Sequence, residues 1–160
     1  MFEIKLVKKG KFFNKPYRDG IVEKMLLSSI NESLLILDRE VKKRAPVFTG
    51  TLRRSIGTEV RGRGINLKGI VGTPLKYATT KEMGRSPGTF PNYDALQLWV
   101  RRKTGLTGKA LELVTITVGR NIKRFGIKGK FMFRDALAAS EAKIKMLFDR
   151  YGFKVVRALE

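Results

Sequence analysis

The residues of this sequence that could do chemistry are above all its cations. The 160-residue chain has 34 Lys and Arg against 14 Asp and Glu, which gives a net charge of +20 at pH 7. Such an excess predicts a polyanionic partner or an acidic protein surface, although any single basic cluster can equally be a solvated face or a helix end. The candidate polyanion contacts are Lys42, Lys43, Arg44, Arg61, Arg63, Arg101, Arg102 and Lys103.

The residue types that most catalytic sites need are missing. The chain contains no His and no Cys, which excludes Cys nucleophiles, Ser–His–Asp triads and zinc sites of the Cys/His type. Residues 105–109 resemble a phosphate-binding loop, but Lys103 and Ala110 stand where that loop needs Gly and Ser or Thr. We therefore predict no enzyme activity, no metal and no cofactor. A basic hydrolase that uses scattered carboxylates such as Glu82 is the remaining enzymatic alternative.

Hydrophobic periodicity predicts a long helix followed by a β-hairpin. Apolar residues recur every three or four positions over 20–44, which is the pattern of one buried helix face. Asp19 is the expected N-cap, and Pro46 ends the helix because it disfavours helical backbone at the preceding residue. Residues 55–61 and 65–72 alternate in polarity on either side of a Gly-rich turn, as the strands of a hairpin do.

The rest of the chain predicts a loop and three further helices. Asn92 and Thr107 are the expected N-caps of the first two of these helices. Leu137 is expected on the buried face of the last helix, which Gly152 should interrupt. Residues 114–118 are β-branched, so a strand is the alternative there. The elements expected outside the first helix and the hairpin are short strands at 2–7 and 12–13, a loop at 84–92, helices at 93–103, 108–125 and 133–150, and a frayed helix or strand at 153–160. The predicted fold is α+β. A small, mostly antiparallel sheet packs against the 20–44 and 133–150 helices in one domain of residues 1–160, with a helical insert at about 85–130.

Three short segments together resemble a family of phage proteins. Residues 45–56, A-P-V-F-T-G-T-L-R-R-S-I, resemble the A-P-x-x-T-G-x-L-x-x-S-I signature of tailed-bacteriophage head–tail joining and tail-completion proteins. Residues 71–84 are similar to the family pattern V-G, Y-A and E-x-G that follows its hairpin, and residues 133–137 to the start of its last helix. The insert at about 85–130 resembles the virion-morphogenesis branch found in Mu-like phages.

The signature also has a physical meaning of its own. Thr49 can form a side-chain turn bond and Gly50 supplies a permissive backbone, after which Leu52 and Ile56 are expected to be buried while Arg53 and Arg54 point outward. A plain corner between a helix and a strand, without any site, is the alternative interpretation.

The resemblance implies a structural protein that acts by contact. It implies a ring of six copies, bound to other neck, connector or tail proteins in the virion at the head–tail junction, after assembly in the host cytoplasm. A basic nucleic-acid-binding protein is the alternative function, non-specific DNA contact is a candidate interaction, and no membrane partner is expected. The candidate subunit-interface residues are Pro46, Thr49, Gly50, Leu52, Arg53, Arg54, Ser55, Tyr77, Ala78, Glu82 and Gly84.

Overall fold

The computed structural model describes residues 14–160 and confirms the α+β class. The strands expected at 2–7 and 12–13 lie outside the described residues. The elements are α1 Lys15–Arg44, α2 Thr51–Ser55, β1 Gly57–Arg61, β2 Lys68–Gly72, α3 Tyr77–Met83, β3 Gly84–Arg85, α4 Tyr93–Thr104, α5 Gly108–Phe125, β4 Ile127–Lys128 and α6 Met132–Leu159. They form two compact units: the chain up to Leu75 together with Met132–Glu160, and Lys76–Phe131. The single domain of residues 1–160 stays a prediction.

Helix α1 begins earlier than the sequence predicted. Asn14 is its N-cap and accepts a hydrogen bond from the Tyr17 amide at 3.4 Å, so the prediction that Asp19 caps the helix is wrong. Pro16 fits within the first turn because the amides there have no partner inside the helix. The other end is as predicted: Ala45 has extended backbone (ψ 130°) before Pro46.

The first unit is built on α1, which contacts both α6 and the β1–β2 hairpin. The predicted hairpin is confirmed as an antiparallel pair in which Gly57 lies opposite Gly72 and Arg61 opposite Lys68. A side chain on Gly69 would lie only 3.0 Å from Ile30 and 3.1 Å from Leu34. The strand therefore approaches α1 as closely as it does because residue 69 is a glycine.

Helix α6 continues through Gly152 to Leu159, so the predicted interruption is wrong. An interior glycine costs a helix only about 1 kcal/mol, and around Gly152 the helix packs through buried Tyr151 and partly buried Val155. The buried face includes Met132, Ala136 and Tyr151. Leu137, which the periodicity placed on this face, is 55% exposed.

Glu32 joins α1 to α6. Its carboxylate accepts hydrogen bonds from the hydroxyl of Tyr151 and the guanidinium of Arg150. The hydrogen bond from Tyr151 is the main cause that lowers the pKa of Glu32; partial burial opposes it, and the charge of Arg150 lowers the pKa further. The same contact raises the pKa of Tyr151. The two helices are therefore held together by a charged cluster as well as by apolar packing.

The lowered pKa of Glu32 makes the stability of the first unit sensitive to acid. A depressed folded-state pKa contributes stability above the unfolded value, about 4.3 for glutamate, and that contribution is lost as the pH falls through the folded value. We expect Glu32→Gln to reduce the slope of melting temperature against pH below about 4.3. Glu141→Gln, at an exposed position of α6, is the matched control and should keep the wild-type slope. Equal slopes for wild type and Glu32→Gln would contradict this role.

The second unit is a helical hairpin with a short strand pair. Asn92 caps α4 by accepting a hydrogen bond from the Ala95 amide at 2.9 Å, as predicted. Residues 114–118 are helical, which resolves the alternative between helix and strand. Thr107 stands at the N-cap position of α5 but makes no side-chain cap bond, so its predicted capping role is wrong. The hydrophobic cluster between the two helices consists of Leu96, Val100 and Leu111 with Trp99, Leu106, Val114, Val118 and Ile122 packed against it.

Candidate interaction surface

The signature segment forms a tight corner between α1 and the hairpin. Gly50 has a left-handed backbone (φ 73°) and stands at the N-cap position of α2, where a residue with a side chain would be strained. The hydroxyls of Thr49 and Thr51 lie 2.8 Å apart, and the Thr51 amide approaches the Thr49 hydroxyl at 3.4 Å. The turn bond predicted for Thr49 is therefore confirmed.

Two apolar side chains fix this corner to the first unit. Leu52 is 4% exposed and Ile56 is 3% exposed, as the pattern predicted. Residue 55, predicted as the start of a strand, belongs instead to the short helix α2. This turn of helix places Leu52 and Ile56 on the buried side and leaves Arg53 and Arg54 exposed, as expected.

Ser55 ties the corner to the end of the hairpin. Its hydroxyl bonds the Leu52 carbonyl at 2.8 Å and lies 2.6 Å from the Thr73 hydroxyl. Thr73 in turn accepts from the Leu75 amide at 3.3 Å. Sequence reasoning missed Thr73, because a partner 18 residues away gives no local signal. The role that the structure gives Ser55 is thus to hold the corner in place.

The two arginines of the corner differ in their surroundings. Arg54 donates a hydrogen bond to the Thr49 carbonyl at 3.2 Å, so it folds back over the turn. Arg53 makes no ion pair or hydrogen bond within residues 14–160. Close to it in sequence, Val47 is 62% exposed and Phe48 is 46% exposed. We call Val47, Phe48 and Arg53 the corner surface.

The second motif lies in the second unit, where most of it forms the helix α3. Tyr77 begins α3 and is largely exposed, while Ala78 is buried. The Glu82 carbonyl accepts from the Phe131 amide at 3.1 Å. Gly84 has a positive φ of 85°, and a side chain there would meet the backbone of residues 127–129. The glycine of this motif is thus required for the pairing of β3 with β4.

The predicted polyanion contacts differ in whether a carboxylate already neutralises them. Lys42 bonds Asp38 at 2.8 Å, Arg44 bonds Glu40, and Arg61 bonds Glu59 at 2.7 Å. The contact with Arg61 lowers the pKa of Glu59. Lys43, Arg63, Arg101 and Lys103 are exposed and form no ion pair within residues 14–160. Lys103 lies over the Trp99 ring at 4.9 Å from its centroid. Arg102 is exposed at the surface of the second unit.

The described residues also bear on three other kinds of site: for a metal ion, for a stacked base and for a membrane. Across residues 14–160, no three acidic side chains come close enough together to hold a metal ion. Trp99, which could in principle stack on a base, packs against the hydrophobic cluster of the second unit. In that same part of the chain, no helix has the length and apolar character needed to span a bilayer.

Comparison with known proteins finds a similarity in the N-terminal half of the chain. Residues 9–84 match the family model described as "Bacteriophage HK97-gp10, putative tail-component". The matched stretch is just under half of the chain and includes α1, the corner and the hairpin, and it ends at Gly84. No curated protein and no solved structure matches the chain. The chain is thus similar over this stretch to the family described as a phage tail component.

Proposed function

We propose that this protein is a neck or tail-completion subunit that assembles with copies of itself into a ring at the head–tail junction of a tailed phage. The observation that carries the proposal is the family match, because it covers the segment that forms α1, the corner and the hairpin. The resemblance of the insert at about 85–130 is the ground for proposing the virion-morphogenesis branch of Mu-like phages. The protein would reach the virion after assembly in the host cytoplasm and would act by contact rather than by catalysis.

The corner surface is the proposed seam between subunits of the ring. Val47 and Phe48 supply exposed apolar area, and Arg53 supplies a charge that no carboxylate of the described chain neutralises. A head-to-tail contact of this kind generates a ring when its rotation closes. Tyr77 and the rest of α3 are a second candidate contact, for a neighbouring copy or for another neck, connector or tail protein. Six copies is the number that the resemblance implies.

The net charge sets the conditions under which a ring can form. Subunits that each carry +20 repel one another, and salt or a polyanion screens this repulsion. We expect a monomer at low salt and micromolar concentration, and rings when salt is raised or a polyanion is added. Mass photometry or sedimentation velocity across a salt series measures this directly.

A charge reversal at the corner surface tests the seam itself. Arg53→Glu should weaken ring formation by about tenfold or more, the usual effect of removing an interface hot spot. Lys24→Glu makes the same charge change at an exposed position of α1 and is the matched control. Rings that form equally well from both variants would refute the seam.

A nucleic-acid-binding protein is the second candidate function, and the charge of +20 is the observation that favours it. Binding through phosphates weakens steeply with salt and does not depend on sequence. Ring formation that increases with salt and DNA binding that decreases with salt are therefore distinguishable in one titration series.

A further inference from the structure

We propose that the outer face of α5 in the second unit binds the phosphate backbone of duplex DNA without sequence preference. The proposal rests on the nucleic-acid contact named above and assigns it to specific residues. Residues 76–131 hold twelve Lys and Arg against three Asp and Glu, a net charge of 12 − 3 = +9 in a unit of 56 residues. The second unit is thus strongly basic even without the first unit.

The basic residues of α5 lie on one side of the helix. Lys109 is followed by Arg120, Lys123 and Arg124 at separations of 11, 14 and 15 residues, which are close to three or four whole turns of about 3.6 residues. All four are exposed. The buried residues of α5, including Leu111, occupy the opposite side. We call Lys109, Arg120, Lys123 and Arg124 the α5 basic face.

The stability of the fold does not account for these charges. Lys109, Arg120 and Lys123 make no ion pair within the part of the chain that the structure describes. Arg120 and Arg124 are four residues apart, where like charges repel. Lys109 lies in the first turn, where the helix dipole disfavours a cation. By contrast, Lys42 is paired with the carboxylate of Asp38 in the first unit.

The chemistry of the α5 basic face fits phosphate better than an acidic protein. At about 1.5 Å per residue, Lys109 and Arg124 lie about 22 Å apart along the helix, a length that spans about six phosphates of one strand at about 3.4 Å each. Protein interfaces favour aromatic anchors and contain few lysines, whereas the polar groups of this face are two Lys and two Arg, with Leu113 as the exposed apolar residue among them. Trp99 and Phe90 are packed within the second unit, and exposed Phe125 lies on another side of α5, so base stacking is not the mode of recognition of this face.

The test measures binding of the full-length protein to a short duplex DNA of mixed sequence across a salt series. The α5 variant carries Lys109→Gln, Arg120→Gln, Lys123→Gln and Arg124→Gln. The control carries Lys24→Gln, Arg39→Gln, Lys145→Gln and Arg157→Gln, which remove the same charge from exposed positions of the first unit. Circular dichroism verifies that both variants fold. If the fourfold α5 variant does not fold, the double variant Lys109→Gln and Arg120→Gln replaces it. Trp99, the one tryptophan of the chain, reports binding through its fluorescence.

The salt dependence of binding counts the phosphates that the protein neutralises, because each contact adds about 0.9 to the slope of log affinity against log salt. We expect the α5 variant to reduce the slope by about 2 to 4, while the control changes it by less than about 1. Equal reductions of the slope in both variants would overturn the proposal. It would also be overturned if polyglutamate competed for the protein as well as DNA of equal charge does. Ring formation is measured in parallel, and the α5 variant should retain it. A wrong seam assignment would therefore show in ring formation, whereas a wrong DNA contact would show in the salt slope.

Discussion

Replacing Gly119 with alanine should destabilise the second unit by about 1–3 kcal/mol, the usual cost of overpacking a filled site. A methyl group at residue 119 would overlap the ring of Phe90, whose Cε1 would lie 2.8 Å away. The ring has to move away, which detaches residues 86–92 from the apolar side of α5. The Gly88 amide, which donates to the Lys123 carbonyl at 2.8 Å, should then become less protected. Thermal unfolding and hydrogen exchange at Gly88 measure the two effects.

Gly152→Ala is the matched control for this result. Gly152 also lies inside a long helix, but nothing stands within 4 Å of the position its side chain would occupy. There alanine should show its ordinary helix preference and raise stability by up to about 1 kcal/mol. The double change Phe90→Ala with Gly119→Ala should cost less than the sum of the single changes, because the overlap is then removed. A Gly119→Ala protein as stable as Gly152→Ala would contradict this packing.

These two glycines show which features of a helix the sequence predicts and which it does not. Residue type alone predicted a break at Gly152, yet α6 passes through it, with Tyr151 buried before it and Val155 partly buried after it. Periodicity correctly predicted α5, but no local pattern indicates that the ring of Phe90, in a distant loop, covers Gly119. Local patterns determine the existence of an element, while close contacts between distant residues decide which positions tolerate change.

The corner formed by the signature segment also combines features that the sequence predicts with one that it does not. Spacing alone placed Leu52 and Ile56 inside and Arg53 outside, since a turn of backbone has few ways to bury two apolar side chains. The bond between Ser55 and Thr73 joins separate elements, so it emerges only from the folded chain. The buried anchors of the corner could therefore be predicted from the sequence, whereas the bond that ties it to the hairpin could not.

The largest effect is expected in the phage itself. Under the proposed function every particle needs this subunit to close the head–tail junction, so its absence should stop assembly at a defined stage rather than slow it. Arg53→Glu should show the same defect without unfolding, because Arg53 is exposed and makes no bond within residues 14–160. The control variant Lys24→Glu, which folds and has the same net charge as Arg53→Glu, should assemble normally.

The most direct measurement is electron microscopy of lysates from a phage that lacks this protein, with the wild-type chain supplied in trans as the control. We predict DNA-filled heads and separate tails that do not join, together with normal particles when the chain is restored. Joined, infectious particles in the absence of the protein would contradict the structural role.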